Sequence, residues 1–285
     1  MSHTHPINAE TKLYGIFGKP VSHSLSPRMH NALFQHFKIN AVYLAFEVEP
    51  EALGLALEAF RSLGMKGANI TIPHKEAAVN YVDEIPDDLD RAVGALNTLV
   101  NRGGKLYGYN TDGPGFLMAL KEELSFNPEF KTALVLGSGG GARSALFSLA
   151  RAGADKIFLW NRTLERAKGL KEYMAGHFPE LELDVLPSVE EIRGQKLDLV
   201  VNATSLGMRE EDELPVDLKL LSGKPVVYDL VYAPAETRFL KEAKKLGLRG
   251  ANGLGMLVAQ AALSFQIWTG KSEGVRELML ESLKK

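Results

Sequence analysis

The sequence predicts an α/β fold of two units, the second built on a doubly wound parallel sheet, with C-terminal helices that return to the first unit. Three observations predict it. From Leu13 onward, short β-rich runs alternate with helix-length stretches, the pattern of strands and helices layered on a sheet. An apolar run at 132–136 ends in Gly137-Ser138-Gly139-Gly140-Gly141-Ala142 and continues into a helical stretch. After Leu248 the strand pattern stops and two helices close the chain. A length of 285 residues agrees with two units, since domains run to roughly 150 residues each.

In the first unit, 13–17, 41–47 and 68–72 read as strands, and 27–37 and 51–63 as helices. Runs 97–100 and 105–109 flank Asn101-Arg102-Gly103-Gly104, whose Asn and Gly residues tolerate the positive φ angles of a hairpin. A helix over 114–124 follows, and Asn127-Pro128 breaks the chain within 125–130. In the second unit, 132–136, 157–160, 183–186, 197–201 and 226–228 are expected strands, with a helix over 143–152 and helical patterns between several of the others. A long apolar helix, 253–268, and an amphipathic one, 273–283, end the chain. The first unit lacks helical cover for a sheet with two faces, so these helices are assigned to it. The expected division is discontinuous: 1–113 with 252–285, and 114–251 set between them.

Composition narrows the chemistry. Lys and Arg total 33 against 35 Asp and Glu, a formal charge of −2 that disfavours a nucleic-acid backbone as partner. No segment approaches the ~18 consecutive apolar residues of a membrane span. The first ten residues lack the apolar core of a signal peptide, so a cytoplasmic protein with no membrane partner is expected. The absence of cysteine excludes disulfides, thiolate nucleophiles, iron–sulfur clusters and sulfur-ligated zinc. No metal site is expected, and His3 and His5 read as solvent-exposed bystanders. Catalysis falls to oxygen and nitrogen groups or to an organic cofactor.

The pattern Gly137-x-Gly139-x-x-Ala142, after a strand and before a helix, fits the Rossmann phosphate fingerprint with the permitted alanine in its third place. Glycines let the backbone approach a pyrophosphate, and a helix N-terminus supplies N–H donors and partial positive charge. The bare pattern also describes a tight turn; its strand and helix context favours a dinucleotide. An acid at the tip of the next strand would accept from the ribose 2′-hydroxyl of NAD. Here Asn161-Arg162-Thr163 stand instead. Arg162 can pair with a phosphate, Thr163 can cap the following helix and Arg166 adds charge beside its start, which favours NADP. An exposed loop arginine beside an ordinary cap is the alternative.

In the first unit, polar clusters sit at strand ends. Ser22-His23-Ser24-Leu25-Ser26-Pro27 follows the first strand; Ser26 and Pro27 suit a helix start, while Ser24 is left for turn chemistry or a polyol-binding surface. Asn69-Ile70-Thr71-Ile72-Pro73-His74-Lys75 alternates polar and apolar residues until Pro73 stops the strand, placing Thr71 and Lys75 near its exit. Asn110-Thr111-Asp112-Gly113 ends a strand and starts a helix. Alone, Asp112 reads as an N-cap and Lys75 as a solvated lysine; together they offer a carboxylate and an ammonium for proton transfer. Gln260 lies in an otherwise apolar helical stretch, where a buried amide needs a partner, structural or ligand.

These segments, with Ala95-Leu96-Asn97-Thr98 and Gly253-Leu254-Gly255-Met256-Leu257-Val258-Ala259-Gln260, together resemble the shikimate dehydrogenase family over nearly the whole chain. The resemblance implies NADPH-dependent, reversible reduction of 3-dehydroshikimate to shikimate, a step towards chorismate and the aromatic amino acids. It implies that 1–113 with 252–285 bind substrate, and that 114–251 hold a linking helix and the NADP-binding Rossmann domain. It implies Lys75 and Asp112 as the catalytic pair and Ser24, Ser26, Asn69, Thr71, Asn97, Tyr232 and Gln260 as further substrate contacts. For NADP it implies Gly137, Ser138, Gly139, Gly140 and Gly141 at the pyrophosphate, and Asn161, Arg162, Thr163 and Arg166 at the adenosine phosphate. Asp87, Leu230 and Gly253 match further cofactor positions; Leu230 stands where the family often has methionine. A homodimer fits the family and a monomer is compatible with it. Two alternatives stay open: a quinate/shikimate dehydrogenase able to use NAD, and a catalytically silent shikimate- or nucleotide-binding regulator.

Overall fold

The structure, a computed structural model, describes residues 7–284. His3 and His5 lie outside the described residues. Two compact units form: the described residues up to Thr111 with those from Val258 onward, and Asp112–Leu257. The first crossing falls at 111/112, where 113/114 is expected, and the second falls at 257/258, inside a helix and six residues past the expected 251/252.

The first unit holds a five-stranded sheet with spatial order β2-β1-β3-β4-β5, formed by β1 (Lys12–Gly18), β2 (Ala41–Glu47), β3 (Gly67–Ile70), β4 (Thr98–Arg102) and β5 (Lys105–Tyr109). β1 is parallel to β2 and β3, and β3, β4 and β5 run antiparallel in turn. The hairpin is tighter than the sequence indicates: Arg102 pairs with Lys105, and only Gly103 and Gly104, both at positive φ, make the turn. The alternation of side chains divides the sheet. Phe17, Ala68, Ile70, Leu99 and Leu106 point to one face, packed on Leu53, Leu57 and Phe60 of α2 (Leu53–Ser62). On the other face Tyr14 meets Phe34 of α1 (Ser26–His36) and Trp268. The Trp268 indole N–H donates to the Leu99 carbonyl at 3.0 Å, fixing the returning C-terminal chain to the sheet.

That return is made by α8 (Leu254–Thr269) and α9 (Val275–Lys284), with the part of α8 from Val258 in this unit and α9 packed along α1. Both therefore supply the missing cover. Helix α3 (Asp88–Val93) is too short for its periodicity to register in the sequence.

The second unit is a six-stranded, wholly parallel sheet: β6 (Thr132–Leu136), β7 (Lys156–Trp160), β8 (Glu182–Val185), β9 (Leu199–Asn202), β10 (Val226–Asp229) and β11 (Gly250–Asn252). Its spatial order, β11-β10-β9-β6-β7-β8, reverses direction between β6 and β9. Ligands of such sheets bind at that reversal, beyond the carboxyl ends of the strands. Helices α4 (Asp112–Leu124), α5 (Gly140–Arg151), α6 (Leu164–Ala175) and α7 (Arg238–Lys245) complete the unit. β11 corrects the expectation of no strand after Leu248: Gly-Ala-Asn carries no β-branched or aromatic residue, and its pairing with β10 alone defines it. Among the described residues no helix is long and apolar enough to cross a membrane.

Candidate active site

The first unit gathers its polar residues on the sheet face that α8 covers. Asn69 and Thr98 are cross-strand partners on β3 and β4, buried with Tyr43 of β2 and Ser264 of α8. Tyr43 Oη donates to Asn69 Oδ1 at 2.7 Å, and Asn69 Nδ2 donates to the Asn97 carbonyl and to Ser264 Oγ, both at 3.1 Å. Asn97 is the next node. Its Oδ1 accepts from the Thr111 backbone N–H at 2.7 Å, and its Nδ2 donates to Thr111 Oγ1 at 2.8 Å and Gln260 Oε1 at 3.0 Å. Asn69, Asn97, Thr111 and Gln260 thus come together from distant parts of the sequence.

Lys75 lies just past β3 in a turn held on several sides. Thr71 N–H donates to the Phe17 carbonyl, Lys19 N–H to the Ile72 carbonyl, and Leu96 N–H to the Lys75 carbonyl at 2.8 Å. His74, almost wholly buried, bonds through Nε2 to the Val48 carbonyl at 2.8 Å. Gly18 allows the approach of Thr71: a Cβ there would stand 2.2 Å from Thr71 Cγ2. Lys75 and Thr71 are half-buried at the strand exit.

At the start of α1 the structure corrects the sequence. Ser26 is the first helical residue, buried and not the cap; Leu25 holds the cap position without a side-chain bond. The reason is Ser24, whose Oγ accepts from the Ser26 N–H at 3.3 Å and serves one of the helix's unbonded donors. Asp112, buried, is likewise the first residue of α4. Asp87 caps α3, its Oδ1 accepting from Leu89 and Asp90 N–H groups at 2.8 and 3.2 Å.

In the second unit the glycine turn leaves β6 at the sheet's reversal. Gly137 has φ +114, and a Cβ on it would lie 2.8 Å from the Ala203 carbonyl in the loop after β9. Only glycine lets the two loops come this close. A Cβ on Gly139 would meet nothing within 4 Å, and no side chain caps α5, so backbone and helix terminus face open space. Ser138 Oγ is buried beside them with no hydrogen-bond partner among the described residues. A bare backbone cradle, an uncapped helix start and an orphaned hydroxyl fit a bound pyrophosphate.

Gly141, Leu230 and Gly253 also meet: a Cβ on Gly141 would sit 3.2 Å from Leu230 Cδ2, and one on Gly253 only 2.1 Å from the Leu230 carbonyl oxygen. Because that obstacle is backbone, Gly253→Ala is expected to cost about 2–3 kcal/mol, read as a lower denaturant midpoint; an unchanged midpoint would remove the close-packing argument. Asn161 Nδ2 donates to the Thr163 carbonyl at 2.9 Å and shapes the loop carrying exposed Arg162. Thr163 occupies the cap position of α6 but makes no side-chain cap bond, a second correction. Arg166 lies exposed in the first turn.

Asp229, at the end of β10, carries no functional signal in the sequence, where it reads as a strand terminus. Wholly buried, it accepts from Asn202 Nδ2, Thr237 Oγ1 and the Val231 N–H at 2.9, 2.6 and 3.1 Å. Burial raises its carboxyl above the usual carboxylate range, opposed by these three bonds. It braces the segment that carries Leu230 and half-buried Tyr232, whose phenol burial also raises.

Comparison with known proteins gives this arrangement its lineage. The family described as the shikimate dehydrogenase substrate binding domain matches residues 16–99, and the shikimate 5′-dehydrogenase C-terminal domain matches 253–284. A curated shikimate dehydrogenase (NADP(+)) from Methanopyrus kandleri is 45% identical over 293 residues, covering 100% of both chains. The chain belongs to the shikimate dehydrogenase family. The crystal structure of shikimate dehydrogenase from Aquifex aeolicus superposes with a TM-score of 0.88 at 42% identity, covering 98% of this chain and 100% of that one. The Thermus thermophilus family member in complex with NADP(H) and shikimate gives 0.82 at 37% identity, covering 95% and 100%. The family resemblance read from the motifs, and the α/β fold it carried, are thereby established.

Proposed function

We propose that this chain reversibly reduces 3-dehydroshikimate to shikimate with NADPH, in the aromatic branch that leads to chorismate. The observation that carries the reading is the buried lattice joining Asn69, Asn97 and Gln260, in a family whose members are named for shikimate. Shikimate presents several hydroxyls and a carboxylate on one ring, and a surface of amides and hydroxyls offers both donors and acceptors to it. In this reading Ser24, Ser26, Asn69, Thr71, Asn97 and Gln260, all in the unit built on the five-stranded sheet, hold the substrate, and Tyr232 is a further contact.

Reduction of a ketone places a hydride on carbon and a proton on the developing alkoxide. NADPH, when bound, supplies the hydride. Lys75 delivers the proton to the oxygen and takes it back in the oxidation direction. Asp112 holds the same substrate oxygen region and completes the pair with Lys75.

For the cofactor, residues Gly137 to Gly141 receive the pyrophosphate, while Asn161, Arg162, Thr163 and Arg166 receive the adenosine phosphate. Leu230 and Gly253 shape the remaining wall of the same unit, and Asp87 belongs to this set by family position. Arg162→Ala is expected to raise KM for NADP about tenfold or more with KM for NAD little changed, since a charge-assisted bond to the 2′-phosphate is lost. Equal effects on both cofactors would remove that role.

Turnover measured by reduced-nicotinamide absorbance, with shikimate or quinate and NADP or NAD, tests the whole reading. Shikimate with NADP is expected to dominate. Preference for quinate or NAD would support the broader dehydrogenase, and binding without reduction would support a silent regulator. A cytoplasmic homodimer accompanies this reading, and light scattering decides it against a monomer.

A further inference from the structure

We propose that Ser264 is a positioning residue for substrate recognition, holding the Asn69 amide and the turn of α8 that carries Gln260 in the register in which both residues meet the substrate. The inference rests on the functional reading above, which makes those residues substrate contacts and assigns nothing to Ser264.

Ser264 stands one turn beyond Gln260 on an apolar helix and is wholly buried. Its hydroxyl donates to the Gln260 backbone carbonyl at 2.9 Å, a bond within α8. It accepts from Asn69 Nδ2 at 3.1 Å and lies 2.7 Å from Thr98 Oγ1. A serine hydroxyl has one proton and two acceptor positions. With its proton on Gln260 and its acceptor positions facing Asn69 and Thr98, it has no capacity left for a substrate. Its work is therefore support, linking β3, β4 and α8.

The consequences reach both amides. Asn69 Oδ1 is held by Tyr43 Oη while Nδ2 is spent on Asn97 and Ser264, so Asn69 offers the substrate an acceptor. Asn97 Nδ2 engages Gln260 Oε1, which sets the orientation of the Gln260 amide. Apolar helix packing alone tolerates small slides and rotations of α8 along the sheet. The Ser264 node, together with the Trp268 bond to the Leu99 carbonyl, removes that freedom, because a slide would leave buried donors unpaired.

The test compares Ser264→Ala and Ser264→Thr with wild type in steady-state kinetics and thermal unfolding. The alanine variant is expected to raise KM for shikimate about fivefold, with a smaller fall in kcat and KM for NADP within about twofold. Threonine, which keeps the hydroxyl, should return KM for shikimate towards wild type. An unchanged shikimate KM in the alanine variant overturns the proposal, as does a parallel rise in both KM values with a lowered Tm. If the alanine variant fails to fold, Ser264→Cys, close in size but a weak hydrogen-bonding group, is read by the same ratio. Failure of wild type to turn over shikimate would instead refute the functional reading.

Discussion

Lys75→Ala is expected to lower kcat with shikimate and NADP by about three orders of magnitude while KM for NADP stays within about twofold, because general acid–base catalysis is typically worth 10²–10⁴. The turn that carries Lys75 is held by backbone bonds and by His74. The Lys75 carbonyl is held by Leu96, its neighbour His74 is anchored on Val48, and Thr71 and Ile72 are tied to the end of β1 and the residue after it. Removing the ammonium thus leaves the scaffold intact, and an unchanged Tm is the control. Lys75→Arg should remain crippled, since a guanidinium stays protonated in any accessible range and cannot act as the base for shikimate oxidation. Near-normal turnover in either variant would refute the catalytic assignment. A rise confined to KM for shikimate would make Lys75 a binding group only.

The parts of this molecule legible in the sequence are those that local rules control. The glycine turn is legible because a strand, four glycines within five residues and a helix in sequence have few other uses, and the structure adds the reason for Gly137 in the nearby Ala203 carbonyl. Strand β6 has the bounds its apolar run gives, whereas β3 ends earlier than its alternation indicates: Thr71 already bonds back to Phe17 as part of the turn. Capping was the weaker inference. Ser26 and Thr163 have the right side chains for caps, but Ser24 serves the first helix start and Thr163 leaves the second uncapped. Supporting residues were the least legible. Tyr43 and Ser264 look like ordinary members of an apolar strand and helix, and their roles depend on partners far along the chain. Ser264 did leave one trace, a polar residue four places after Gln260 on a helix that is otherwise apolar at its centre.

His30 carries the second large effect, on stability against pH. It lies one turn beyond Ser26 on α1, wholly buried, its ring stacked on Tyr43 at 4.6 Å with Trp268 and Phe265 at 5.1 and 6.2 Å. Neither ring nitrogen has a hydrogen-bond partner among the described residues. Burial pushes the imidazole down to about 3; the adjacent Asn69 amide opposes the shift without closing a bond. Unfolding releases it to the ordinary value near 6.5. Above that value neither state binds the proton and His30 adds no slope. As pH falls from about 6.5 to 3, the unfolded chain takes up a proton that the native state refuses, so stability drops, by up to about 5 kcal/mol across the whole window. His30→Phe keeps the aromatic stack and abolishes this term. Its unfolding free energy should therefore fall less steeply than that of wild type between pH 6.5 and 4, with the two curves parallel above 7. Other groups titrate in the same range, including Asp229, whose raised carboxyl contributes with the opposite sign. They are common to both proteins and cancel in the difference. Parallel curves down to pH 4 would mean that the native state accepts the proton, and that His30 is not the neutral floor beneath Tyr43 and Asn69 that its surroundings dictate.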